Sequence, residues 1–462
     1  MTLHTPPPAP PAVVLSDLRE SIASRRTRTL AWRLEQLRGI ERLLTEEKAA
    51  IAAALADDLG RSAVEAYMGD VACTRAEAAY ARKHLKRWMR PRRHLLPLTQ
   101  LPGRAWVQYE PLGAVLIIGA WNYPIYLSLG PLVGVVAAGN AAVVKPSELA
   151  PATSALLARI LPQYLDSAAI RVVEGDGRTT QDLLAQGFDH AVFTGGAEVG
   201  KKVMAAAAAT LTPVTLELGG KSPVVVLADA DLDVAARRIV MAKLLNSGQT
   251  CVAPDYVLAD AAIADELVDK IVNTIGAFRS AEHDPSLPIV NTKQFDRLVS
   301  IIENTEAKIV FGGGSDRSTL RIQPTVVMGP SSTDAVMAEE IFGPVLPIVP
   351  VQSTSDAIDF VNFGPTPLAL YVFSSSARVA RAVIDRTPSG GAAINHVAVQ
   401  CVVPQLPFGG QGASGMGAYH GRWGFEAFSH RRAVVHKPAR PDPKIMYPPY
   451  TARFVKFMQR FS

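Results

Sequence analysis

Between Pro111 and Val144 the chain carries no charged side chain. A run of that length could cross a bilayer as a helix, which needs about 20 apolar residues. Asn122, Pro124, Pro131, Gly139 and Asn140 interrupt it, however. A spanning helix would have to satisfy the backbone at each break without water. The other way to bury so much uncharged chain is inside a parallel α/β sheet, whose strands are covered on both faces and are apolar almost throughout. The stretch therefore reads as strand, loop, helix, strand, and the chain is expected to have no transmembrane span.

The surrounding sequence extends this pattern. Leu30, Leu34, Leu37, Ile40, Leu44, Ile51 and Leu55 recur mostly at three- and four-residue steps with charges between them, which predicts an amphipathic helical region. Strands are predicted over Ala114 to Ile118, Ala141 to Val144, His190 to Phe193 and Val224 to Leu227. The third runs straight into Gly195-Gly196-Ala197-Glu198-Val199-Gly200 and an alanine-rich helix. The fourth runs into an Asp-rich turn and a helix from Leu232. Strands alternating with helices imply a parallel sheet with crossovers. The alternation restarts from Asp265, implying a second α/β domain, and 462 residues are too many for one ordinary domain. The glycines Gly312 to Gly314 read as a surface loop rather than a phosphate cradle.

Composition fits a large soluble protein, with 48% hydrophobic and 19% charged residues. The formal net charge of +5 is partly local, because Arg82 to Arg93 gathers seven Lys and Arg and no acid. Such a run can touch phosphate or nucleic acid. No nucleic-acid module accompanies it, so it reads as a solvated helix face leading into a linker, with no nucleic-acid partner. Three scattered cysteines, Cys73, Cys251 and Cys401, make neither a disulfide framework nor a metal knuckle, and the expected compartment is the reducing cytoplasm. The N-terminus lacks a signal pattern, and its proline-rich residues 1–12 are expected to be disordered. At the other end, Phe454, Val455, Phe457, Met458 and Phe461 make an apolar helical face interleaved with Arg453, Lys456 and Arg460. That tail is too short to span a bilayer. It is expected to pack over a substrate entrance or a second subunit, with peripheral membrane contact as the other option.

Three positions suggest chemistry. Cys251 lies among Gly and small polar residues in Asn246-Ser247-Gly248-Gln249-Thr250-Cys251-Val252-Ala253-Pro254, a setting that suits an exposed nucleophile, although a single Cys is often a buried small hydrophobe. Glu217 stands between Leu216 and Leu218 just before Gly219-Gly220. Desolvation there would raise its pKa toward that of a general base, and capping or a salt bridge is the plainer reading. Asn122, in Gly119-Ala120-Trp121-Asn122-Tyr123-Pro124, follows a buried strand at the end where α/β proteins place their sites. Its amide can donate to an oxyanion, or it can simply be a turn residue.

Together with Leu406-Pro407-Phe408-Gly409-Gly410, Ser414 to Gly421 and Phe425 to His430, these motifs resemble the aldehyde dehydrogenase superfamily, from about Leu30 onward. The details look like its class-three branch of dimeric and fatty aldehyde dehydrogenases. The resemblance implies an aldehyde dehydrogenase-like α/β fold: a Rossmann-type cofactor-binding domain, a second α/β catalytic domain and a small oligomerisation arm. The first is expected over 13–92 and 112–219 and the second over 220–412. Bridging segments are expected at 93–111 and 413–440, and the tail at 441–462.

The resemblance also implies roles. Cys251 attacks an aldehyde, the Asn122 amide and the Cys251 N–H hold the oxyanion, hydride leaves for a nicotinamide cofactor, and Glu217 activates water to hydrolyse the thioester. NAD is the implied cofactor, with NADP also accepted. Lys145 and Glu148 match positions that grip the adenosine ribose, and Gly195, Gly196 and Gly200 let the pyrophosphate approach a helix N-terminus. Glu340 and Phe342 match positions at the nicotinamide ribose and ring, and Trp121 joins the cofactor set. Tyr123, Gln405 and Phe408 are candidates for the pocket lining. The implied substrate is a medium- or long-chain aliphatic or aromatic aldehyde, the implied assembly a homodimer, and no metal is implied. The loop Ala277 to Pro288 looks shortened against the family pattern, and Ala413 replaces a residue that is often polar. The rivals are a CoA-acylating dehydrogenase, which generally lacks the base that Glu217 would provide, and a non-catalytic descendant.

The chain context leads to a first prediction. Cys73 lies in a helical stretch and Cys401 beside Val402 and Val403, so both should be packed and inert. Limiting iodoacetamide followed by peptide mapping should find Cys251 modified first, with activity lost in proportion. Modification of another cysteine with activity intact would defeat this expectation.

Overall fold

The computed structural model describes residues 10–278, 286–442 and 444–459. Most of the Ala277 to Pro288 loop lies outside these residues, as do Arg460 and Phe461 of the tail. Pro11 and Ala12 are not disordered: they open the helix Pro11–Ala23. A proline at the first helical turn has no N–H to leave unpaired and a φ already suited to the helix. The rest of the proline-rich stretch is not described.

Among the described residues, the six-stranded sheet runs Gly415–Met416, Val214–Glu217, His190–Thr194, Ala114–Ile118, Ala141–Lys145, Ile170–Val172. All neighbours are parallel except the first pair. The uncharged stretch from Pro111 folds as strand Ala114–Ile118, helix Tyr126–Ala138 and strand Ala141–Lys145, every residue of both strands buried. Helices Leu30–Glu46, Lys48–Leu59 and Ala72–Trp88 bring Leu37, Ile40, Leu44, Ile51 and Leu55 into the same core. Among the described residues no helix is long and apolar enough to cross a membrane.

The second sheet has seven strands, in the order Lys308–Phe311, Thr325–Met328, Val345–Val351, Tyr256–Asp260, Pro223–Val226, Ala369–Phe373, Gly391–Ile394. The strand near Val224, read above as continuing the first alternation, pairs instead with Tyr256–Asp260 and Ala369–Phe373. The second sheet thus begins well before Asp265. Apolar periodicity identifies a strand but not its partners, and the Gly219-Gly220 break is where the chain changes sheet.

A third, antiparallel sheet joins Arg92–His94, Arg104–Pro111 and Ser429–His436. The basic run therefore ends in a strand rather than a linker, since Arg92 and Arg93 pair with Val107 and Trp106. The tail helix is short, Ala452–Met458, and among its described side chains Val455 and Met458 are exposed.

Leu116, fully buried at the centre of the first sheet, provides a stability prediction. Leu116→Ala should cost about 2–5 kcal/mol, the usual range for a buried Leu→Ala cavity. Denaturant unfolding reads the loss, and a smaller effect would mean that the six-stranded sheet closes around the cavity.

Candidate active site

Parallel pairing brings the carboxyl ends of four strands to one level. Ile118 lies opposite both Lys145 and Phe193, and Thr194 opposite Glu217. Strand order reverses at Ala114–Ile118, with Ala141–Lys145 on one side and His190–Thr194 on the other. The loops leaving this point diverge, which is where open α/β sheets hold ligands.

Glu217 is the last residue of its strand and is 2% exposed. Among the described residues neither of its carboxylate oxygens has a hydrogen-bond partner. Burial alone pushes its pKa well above the ordinary carboxylate range. A structural glutamate would be paired at such a place. The capping and salt-bridge readings therefore fail.

Cys251 lies in the loop between helix Leu232–Leu244 and strand Tyr256–Asp260. The chain reaches it through Asn246, Ser247 and Gly248, all left-handed, with φ of 54°, 52° and 74°. A Cβ on Gly248 would strike the Gly343 carbonyl. Gln249 is held at both ends of its side chain: Nε2 donates to Asn246 O at 3.0 Å and Pro288 O at 3.1 Å, and Oε1 accepts from Val290 N at 3.0 Å. The Tyr371 hydroxyl donates to Val252 O at 2.6 Å, and buried Lys243 donates to Pro254 O at 2.9 Å. Burial pushes the Cys251 thiol above its ordinary range, and Cys401, Glu340 and Glu217 add negative charge around it.

The other two cysteines are half-buried rather than fully packed, as is Cys251. Burial pushes Cys73 up to about 11 and Cys401 up to about 12. Their thiols donate to Met68 O at 3.2 Å and Ala398 O at 2.8 Å. Burial therefore does not single out Cys251, and its distinction is the loop that carries it.

Asn122 is buried, and its amide Nδ2 donates to Gln249 O at 3.1 Å, joining the loop after the first sheet to the cysteine loop. Two residues that sequence reasoning passed over support it, because nothing in their local pattern marks them. The buried Arg61 guanidinium donates to Asn122 O and pairs with Asp70 at 2.6 Å. Burial raises the Asp70 carboxyl despite that pairing. Asn246, inside a motif already noted, donates through Nδ2 to Asn122 O at 3.2 Å and Gln249 O at 3.0 Å.

The remaining candidates divide. Lys145 is buried and pairs with half-exposed Glu148 at 2.7 Å. Gly196 caps the helix Ala197–Ala208, and nothing lies within 4 Å of where its Cβ would stand. Gly195 is shaped by its own strand, since a Cβ there would meet the Phe193 ring at 2.6 Å. At Gly200 the Cβ direction is filled by Leu218 at 2.7 Å, so the missing side chain serves helix-to-sheet packing. Trp121 meets Phe342 edge to face, ring centroids 5.6 Å apart. Glu340 lies against Gly219, where even a Cβ would clash with its carboxylate, and burial pushes it up to about 8. Tyr123 is buried, its hydroxyl 2.8 Å from Thr250 Oγ1, so that hydroxyl is already engaged. Phe408 is half-buried and stacks on His420 at 5.4 Å, whereas Gln405 is exposed.

Residues 18–434 match the sequence model described as "Aldehyde dehydrogenase family". The chain belongs to the aldehyde dehydrogenase family. Among curated relatives of this family, "Aldehyde dehydrogenase family 3 member A2" of Rattus norvegicus is 46% identical over 96% of this chain and 92% of its own. The "Aldehyde dehydrogenase, dimeric NADP-preferring" of the same organism is 45% identical over 94% and 97%. The solved Staphylococcus aureus AldH, in a substrate-bound state, superposes with a TM-score of 0.93 at 39% identity, covering 97% of this chain and 99% of that one. The P. syringae AldA indole-3-acetaldehyde dehydrogenase, a mutant in complex with NAD+ and IAA, gives 0.86 at 25% identity, covering 92% and 88%. Aldehyde dehydrogenases oxidise aldehydes, and this chain is such an enzyme by family, with the class-three members among its similar relatives.

Proposed function

We propose that the enzyme oxidises a hydrophobic aldehyde to its carboxylic acid through a thioester on Cys251, with NAD as hydride acceptor. The observation that carries this reading is Glu217: a buried carboxylate with no hydrogen-bond partner among the described residues, within electrostatic reach of a thiol on a fixed loop. In the proposed sequence, the Cys251 thiol gives its proton to solvent water and the thiolate adds to the carbonyl carbon, whose C=O π electrons move onto the oxygen. The new oxyanion is met by the Cys251 N–H, which already faces its own sulfur, and by the second N–H of the Asn122 amide. Glu217 then takes a proton from the water that hydrolyses the thioester. A CoA-acylating enzyme would generally lack this base, which disfavours that alternative.

The residues present suit a dinucleotide. Gly196 leaves its helix N-terminus open to a pyrophosphate, while Lys145 and Glu148, two strands across the sheet, would meet the adenosine ribose. Glu340 would hold the nicotinamide ribose, with Trp121 and Phe342 flanking the ring. Bound there, the cofactor supplies the hydride acceptor that turns the thiohemiacetal into the thioester. A homodimer is proposed as well. The relative named dimeric favours it, and Ser429–His436 is an edge strand of eight residues whose outer side has no neighbouring strand among the described residues, a ready surface for pairing. All three cysteines are free, in keeping with a reducing compartment.

NAD should outperform NADP. The Lys145 ammonium is engaged by Glu148, so a 2′-phosphate would meet a carboxylate rather than a free cation. The expected preference in kcat/KM is about tenfold, or ~1.4 kcal/mol. Glu148→Gln should erode it, and a higher kcat/KM with NADP in the unaltered enzyme would show that Glu148 does not face the ribose.

The Glu217 reading has its own test. Glu217→Gln keeps shape but cannot accept a proton, so one burst of about one reduced cofactor per active subunit should precede a steady state slower by roughly 10²–10⁴-fold. Intact mass spectrometry should find the acyl group on Cys251. A lost burst would place Glu217 before hydride transfer. Both Glu217 and Cys251 have raised pKa values and act in their deprotonated forms. Turnover should therefore rise as pH rises, and a rate that falls with rising pH would contradict both roles.

A further inference from the structure

The Arg61 side chain is 2% exposed and its partner Asp70 is fully buried. Each guanidinium nitrogen serves a different part of the chain. Nη1 pairs with Asp70, Nη2 donates to the Asn122 carbonyl, and Nε donates to Asn246 Oδ1 at 3.3 Å. Its flat face covers the Tyr123 ring at 4.2 Å. Asp70 in turn accepts from Ile125 N at 3.0 Å and Tyr126 N at 2.9 Å, donors at the start of helix Tyr126–Ala138 that have no partner within the helix. Asn122 is thus held at its own carbonyl and again three and four residues later. The cysteine loop is held by the same guanidinium through Asn246.

We infer that Arg61 is a positioning residue for the reaction: with Asp70 and Asn246 it sets the Asn122 amide against the Cys251 loop. The inference rests on the reading of Asn122 as an oxyanion donor. Its further support is the shared acceptor Gln249 O, which takes Nδ2 of both Asn122 and Asn246. Sharing that acceptor ties the Asn122 amide directly to the cysteine loop, beside the Asn246 side chain that Arg61 also holds. Only a guanidinium can reach all three partners. A lysine ammonium could keep Asp70 but lacks the planar fork that spans Asn122 and Asn246.

Stopped-flow measurement of the reduced-cofactor burst, with NAD and saturating aldehyde, tests this on Arg61→Lys, Asn122→Ala and the double variant. Arg61→Lys should slow the burst by roughly 10- to 100-fold, as expected when a reacting geometry slips by about 1 Å. The double variant should be no slower than Asn122→Ala alone, because both changes remove one function. Additive losses, or a normal burst in Arg61→Lys beside a slow one in Asn122→Ala, would overturn the positioning role alone. A normal burst in Asn122→Ala would overturn the oxyanion reading itself. Should Arg61→Lys fail to fold, Arg61→Met with Asp70→Leu replaces the buried pair by apolar side chains, a change that proteins often accept without losing the fold. A folded double replacement with a slowed burst supports positioning, and one with a normal burst refutes it.

Discussion

The site depends on strands of one sheet running in the same direction and stopping at the same level. Hydrogen-bond register puts Ile118, Lys145, Thr194 and Glu217 side by side at that edge. Parallel strands can do this only if both faces are covered, which is why Ala114–Ile118 and Ala141–Lys145 are apolar and buried along their length. The loops that follow then open into one crevice, where the order of strands reverses. Asn122, Glu148, Gly196 and Glu217 are brought together by strand direction and not by closeness in sequence.

That arrangement concentrates acids where water is excluded. Cys251, Glu217 and Glu340 are each raised chiefly by burial, and the two carboxyls raise the thiol further. Lys221 and Arg297 offset the burial of Glu340 only in part, Lys221 being engaged by Asp255, and burial lowers Lys243 to about 8. Like charges so placed cannot all ionise together, so protons leave the group in linked steps. The thiol needs its proton removed only for the first half of the proposed reaction, and the proposed base needs to be free only for the second.

Sequence pattern and family resemblance contributed differently. The buried strand–helix–strand unit after Pro111 is legible from the lack of charge, and the helical register from Leu30 to Leu55 from periodicity. Glu217 and Cys251 stand out weakly by local pattern, and it is the motif resemblance that joins them. Other features had no local signal. Val214–Glu217 has only four residues, too few for a period to declare itself. Pro223–Val226 has the same apolar composition whichever sheet receives it. Gly200 matched a cofactor pattern, yet its missing side chain makes room for Leu218, a contact that exists only in three dimensions. Arg61 and Asp70 lie on unremarkable amphipathic sequence, and their meaning comes from Asn122 and Asn246, 61 and 185 residues away from Arg61.

The loop before Cys251 shows how local strain is offset by distant contacts. Asn246 and Ser247 both adopt left-handed geometry, at roughly 1–2 kcal/mol each for residues with a Cβ. Gly248 continues the turn without that penalty but cannot be exchanged, because the Gly343 carbonyl occupies the space of a side chain. Against this strain stand Arg61 and the two Asn246 donors, Ser247 Oγ donating to Leu287 O at 2.8 Å, and the three bonds of the Gln249 amide. At about 0.5–1.5 kcal/mol apiece these bonds outweigh the strain and leave the loop one conformation. Five of the seven cross to other elements, so the loop adopts its shape only when the first sheet's edge and the Leu287–Val290 segment are already in place. The sulfur is thereby fixed before any substrate arrives, and oxyanion donors spend no energy on reorganisation during the reaction. Strain at this turn is sustained by the rest of the fold, which ties the position of one cysteine to the register of a sheet it does not belong to.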